Sequence, residues 1–366
     1  MKRRRLLGLT AATASTAGCV VGYHDAGAAE SDADPIPGVD LPVPRDEIET
    51  PAPRDQIPAI VDPAFAVDWS GLDPDGVDDP TLPEGTAVIG VERDGTARAY
   101  PLRILNWHEI VNDDLGGPIA VTYCVLCGSS IVVERFVDGE PTTFGVSGRL
   151  WRNDLVMYDS ATESFWSQIH ATAIRGARTG DQLDVVGSTL SSWGEWRRTH
   201  PETEVLLPPP HSELITGRDD RFPYFRSKYS YADEQQLIGQ DSEGDLDVRT
   251  MVIGVSDGSE TRAYPFDVVS ERGVITDRVS ETPVVVAVTP DGTLVAYDRR
   301  IDGREHDAAP AGERYLELDG SRFERSTGRA VDGPHEGIRL ERANEHPPMF
   351  WRGWSNFNPE TTVYGN

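Results

Sequence analysis

The chain has 366 residues, with 61 Asp and Glu set against 34 Lys and Arg, and a formal net charge of −27. No basic stripe is available to meet phosphates, which argues against nucleic-acid binding. Lys2 and Lys228 are the only lysines, and an acidic, lysine-poor surface suits concentrated salt, which screens self-repulsion while carboxylates hold hydration water; a salt-loving archaeon is the expected source.

Residues 1–18 carry an export signal: Lys2-Arg3-Arg4-Arg5, an apolar stretch from Leu6 to Ala17, and Thr16-Ala17-Gly18 ahead of Cys19. The stretch is shorter than the roughly 18 residues that span a bilayer, so it is read as a lipoprotein signal rather than a membrane helix. The consecutive arginines suit the twin-arginine route, which exports folded proteins. Cys19 is then the lipidated first residue of the mature chain. It anchors the protein to the membrane at the cell surface, on the extracytoplasmic face. Removing the four cations at positions 2–5 takes the charge from −27 to −31. Residues 19–56 are Asp-, Pro- and Glu-rich and are expected to form a disordered tether.

The remaining chain repeats itself. Val88-Ile89-Gly90-Val91 with Thr96–Pro101 returns as Val252-Ile253-Gly254-Val255 with Thr261–Pro265, and Trp193–Trp196 with Pro201–Val205 returns as Trp351–Trp354 with Pro359–Val363. Two matches in the same order at nearly the same offset predict a duplicated domain. Copy one is placed at 57–207 and copy two at 245–366, with a connector at 208–244.

Within copy one, Asp94-Gly95 between Val88–Val91 and Thr96–Tyr100 predicts a hairpin. Leu102 to Val111 has helical spacing, and Ile119–Tyr123, Ile131–Phe136, Thr142–Val146, Val156–Tyr158 and Ser164–Ser167 read as strands. Ser191 to Thr199 predicts a short helix capped by Ser191 or Ser192 and stopped before Pro201. The expected fold class is α+β, mainly β: two tandem copies of a small twisted-sheet or partial-barrel domain with short helices.

Copy one alone carries Cys124-Val125-Leu126-Cys127-Gly128, and the aligned stretch of copy two, Thr282–Val288, has no cysteine. In such a turn both sulfurs point to one side, and the glycine lets amide N–H groups face them. That supplies two ligands for zinc, iron or copper. His108, which copy two lacks, is the first candidate to complete the set, followed by His170, with Met157 if the metal is copper. Tyr123, Asp154, Met157, Tyr158, Trp166 and Gln168 are candidates for a pocket or second shell around the turn.

Two other readings stay open. Cys124 and Cys127 could serve thiol–disulfide exchange outside the membrane, where disulfides persist. Alternatively, Trp107, Trp151, Trp166, Trp193 and Trp196 with Tyr123, Tyr158 and Arg149 could line the pocket of a non-catalytic ligand- or protein-binding module. Core packing is the competing account of these aromatics.

Ala99–Asp113, the Val121–Gly128 turn, Phe144–Gly148, Leu155–Asp159 and Phe165–Gln168 closely resemble the domain of unknown function 3179 family of secreted bacterial and archaeal proteins. The resemblance spans most of residues 57–366. It implies no settled activity, and family members commonly have Pro where Val125 stands.

Overall fold

Asp94 and Gly95 take left-handed backbone angles, φ +51° and +77°, and fold Ala87–Arg93 onto Thr96–Pro101 in an antiparallel ladder. A two-residue turn of this hand matches the twist of its strands. The computed structural model describes residues 36, 38–73, 80–218, 222–225, 246–344 and 346–365. The expected export signal and Cys19 lie outside them.

Pro101 supplies a helix-compatible φ of −65° as N-cap of helix α1, Leu102–His108, which buries Ile104, Leu105, Trp107 and His108. The helix stops three residues short of the expected Val111. Glu109 turns to φ +56° and sends the chain into strand Ile110–Asp114. That strand, Pro118–Cys124 and Ser129–Glu134 form an antiparallel meander. Val185–Val186 extends it on one side, and Ile60–Asp62 and Glu213–Leu214 on the other, to six strands. A second sheet runs Ile48–Glu49, Phe144–Trp151, Asp154–Asp159, Phe165–Ser167, Thr172–Arg175. A third joins the first hairpin to Thr189–Ser192, Glu204–Leu206 and Phe65–Ala66. Helix α2, Trp193–Thr199, starts where the Ser192 side chain accepts the Glu195 N–H.

The later half opens the same way. Hairpin Met251–Ser256/Thr261–Pro265 leads into helix α3, Phe266–Arg272, and strands Val274–Val279, Thr282–Val288 and Leu294–Asp298; helix α4, Trp351–Phe357, comes near the end. Local contacts recur at matched positions. Arg98 and Tyr100 bind Asp113, and Arg262 and Tyr264 bind Asp277. Trp196 lies over Gly90 and donates Nε1–H to Thr203, while Trp354 lies over Gly254 and donates to Thr361. Val205 runs parallel to Ala99, and Val363 to Ala263. The fold is mainly β, with several curled sheets, one half-barrel and four helices among the described residues.

Three expectations change. The tether does not reach residue 56: Ile36, Val43 and Ile48 are buried with Trp151, Val156 and Ile174, and Ile48-Glu49 pairs with Trp151-Leu150. A few apolar side chains are enough to dock a Pro-rich strand that needs no helix or sheet period of its own. The connector is structural as well, since Leu214 and Tyr224 belong to the first core and Phe222 stacks on Trp107. Finally, Trp107, Trp151, Trp166 and Trp193 are buried side chains of the cores, as is Trp196, whose ring also borders a surface cavity beside Gly90, His200 and Arg342.

Candidate functional site

The ladder between Pro118–Cys124 and Ser129–Glu134 runs down to the pair Cys124 and Ser129, so Val125–Gly128 form the tip of a hairpin. Gly128 closes it at φ +59°, a conformation open to glycine at no steric cost. Both cysteines are free and buried. Facing them is a second tight hairpin, Arg152-Asn153, with φ +53° and +65° between the paired residues Trp151 and Asp154. Its geometry delivers two groups to the sulfurs. The Asn153 carbonyl accepts from Cys127 Sγ at 3.3 Å, with Cys124 Sγ at 3.8 Å. The Asp154 side chain turns inward, and one of its oxygens and both Sγ atoms all lie within 4.8 Å of one another.

Asp154 is fully buried. Its Oδ2 accepts from Ser167 Oγ at 3.0 Å and the Ile169 N–H at 3.1 Å, while Oδ1 has no partner among the described residues. Burial pushes this carboxyl up to about 7, against the pull of those donors. Cys127 is held well above its ordinary value, first by the hydrogen bond with Cys124 and then by burial, and the Arg352 charge acts the other way. Beneath the turn, Gln168 accepts from Ser129 Oγ at 2.8 Å and donates to Thr122 Oγ1 at 3.0 Å, anchoring both strands of the cysteine hairpin.

A second buried carboxyl borders the turn. Glu109 receives the Val125 N–H and interacts with Asp154, and burial pushes it up to about 8. Its φ of +56° is costly for a residue with a side chain. The corresponding position after α3 is Gly273, φ +76°, the usual residue at the end of a helix.

The histidines expected as ligands do not join the cluster. His108 is held at both ring nitrogens, by the Pro58 carbonyl at 2.7 Å and the Tyr224 hydroxyl at 2.6 Å, and burial pushes it down to about 4. It ties α1 to the connector. His170 lies between Trp151 and Phe357, at ring distances of 6.4 and 4.9 Å, and burial pushes it down to about 3. Met157 is fully buried in the first core, opposite Val146 and Trp166. Trp166 donates to Asp159, and Tyr158 donates to Asp55 with Arg54 over its ring. Tyr123 is buried in the strand that leads to the turn. Of the expected surrounding residues, then, Gln168 braces the hairpin and Asp154 stands beside the sulfurs themselves.

A family profile described as "Protein of unknown function (DUF3179)" matches residues 54–361. The chain belongs to this DUF3179 family. Neither the comparison with curated proteins nor that with solved structures returned a match. In this DUF3179 chain the matched span contains the whole cluster of Cys124, Cys127 and Asp154, and also Glu109. Sequence reasoning passed over Glu109 because acidic residues are abundant in the chain. The signal that finds it is its alignment with a glycine in the second half.

Proposed function

We propose that this protein holds one metal ion on Cys124, Cys127 and Asp154, at the extracytoplasmic face of the membrane. The observation that carries the reading is the buried Asp154 carboxylate: one of its oxygens lies within 4.8 Å of both buried thiols, and its Oδ1 has no hydrogen-bond partner among the described residues. Three groups that each become anionic on losing a proton are stable together in a dry site when a cation sits among them. Two thiolates and a carboxylate favour a borderline dication, zinc or ferrous iron, over copper(I), which prefers soft ligands throughout. The Asn153 carbonyl, 3.3 Å from Cys127 Sγ, is a further oxygen beside the cluster. Lipidation at Cys19 would hold the site outside the cell, and twin-arginine export would carry it already folded and loaded.

Titration of the reduced apoprotein with cobalt(II) tests the site. Thiolate-to-cobalt absorption that saturates at one equivalent supports it. The same spectrum in Cys124→Ser and Asp154→Asn would count against these ligands.

Thiol–disulfide exchange is the second reading, favoured by the neighbouring free thiols. Their burial counts against it, because exchange needs an incoming sulfur to reach one of the pair. Counting thiols in denaturant before and after reduction separates the two readings: two thiols without reductant fit the metal site, and none fits a disulfide. Fractionation of cells expressing Cys19→Ala checks the anchor, with loss from the membrane fraction expected.

A further inference from the structure

The half of the chain that lacks cysteines lies against the cysteine turn. Strand Met349–Phe350 leads into α4, and the Phe350 N–H donates to the Cys127 carbonyl at 2.9 Å. A Cβ on Gly353, inside α4, would stand 2.9 Å from Cys127 Cβ and 3.0 Å from its carbonyl oxygen. At the far end of the helix, Asn356 Nδ2 donates to the Arg152 carbonyl at 2.7 Å. That bond clamps the same two-residue turn whose Asn153 carbonyl receives Cys127 Sγ.

In α2 the helix glycine is Gly194, packed against Glu84 and matched by Arg352; in α4 the glycine stands one position further on, against Cys127. The position matching Gly353 is Glu195, and glycine inside a helix is disfavoured relative to every other residue but proline. A glycine kept there lets the helix backbone press on Cys127. Glu109 and Gly273 show the reverse exchange, with the side chain kept in the half that holds the cysteines. Both differences between the matched halves converge on the one turn.

We propose that the C-terminal half is the fixed cover of the metal site, seated through α4, and that it keeps water, chelators and foreign thiols from Cys124 and Cys127. The proposal builds on the metal reading for its ligand and on the packing of α4 for its mechanism.

The full mature chain, loaded with zinc, is mixed with excess EDTA and the release rate followed. In parallel, labelling of the cysteines by a small thiol reagent is followed on the apoprotein. Gly353→Ala improves the helix locally and must lift α4 from the turn. Asn356→Ala removes only the clamp, at a half-buried side chain near the end of the helix. Each variant is expected to release zinc about tenfold faster or more, the scale of lost support around a metal, and to label faster, with unchanged circular dichroism. Release and labelling at the wild-type rates in both variants would overturn the cover. If the chain takes up no zinc, the metal reading fails, while faster labelling in the variants still upholds the cover and unchanged labelling rejects it.

Discussion

Glu109 concentrates the conflict between folding and chemistry in one residue. Its backbone is in the region that favours glycine, its carboxyl is buried, and it accepts the Val125 N–H inside the Cys-x-x-Cys loop. Replacing it with the residue found at the matched position, Glu109→Gly, removes both the strain and the buried acid. The variant should melt higher, by an amount corresponding to roughly 1 kcal/mol, and bind metal more weakly. A lower melting temperature with unchanged affinity would show that the side chain is structural. Asp154 and Glu109 also set a pH dependence for the apoprotein. Both carboxyls are raised in the fold, to about 7 and about 8 from ordinary values of 3.8 and 4.5. Between those limits the folded state binds more protons than the unfolded one, so stability falls as pH rises. Thermal melts of the apoprotein from pH 4.5 to 8 should show this decline, and Asp154→Asn should flatten part of it. Bound metal should offset it, because the cation stabilises the ionised carboxylate that burial penalises.

At the scale of elements, the hairpin, helix and returning tryptophan form one locally packed unit in each half. In each, a strand glycine lies under an indole: a Cβ at Gly90 would lie 2.3 Å from the Trp196 ring, and one at Gly254 would lie 2.2 Å from Trp354. Gly90→Ala and Gly254→Ala should each destabilise the fold by about 1–3 kcal/mol through overpacking, read as a shifted denaturation midpoint. Equal and near-zero effects would mean that the tryptophans move aside freely. These units were legible in the sequence, because Asp94-Gly95, Pro101, Ser192 and the paired tryptophans act within a few residues of themselves. The ligand set was less so. Cys124 and Cys127 announce themselves by spacing, whereas Asp154 reaches them through the register of another hairpin, and His108 is claimed by Tyr224, 116 residues away. Nothing local to Gly353 signals that Cys127 lies against it.

At the scale of the molecule, the two halves use similar local geometry for different purposes. One carries two thiols with the buried carboxyls of Asp154 and Glu109; the other supplies the helix whose Gly353 packs against Cys127. Neither the Pro-rich segment from Ile36 nor the segment through Tyr224 is a passive link, since each contributes buried side chains to a core. The matched family profile spans both halves, as an account in which one half closes the site of the other requires.

The most direct measurement is elemental analysis of the folded protein, purified without chelator in high salt, alongside Cys124→Ser and Asp154→Asn. The account predicts close to one zinc or iron per wild-type chain and a marked loss in both variants. No metal above background in the wild type, with both thiols free to titrate in denaturant, would contradict it.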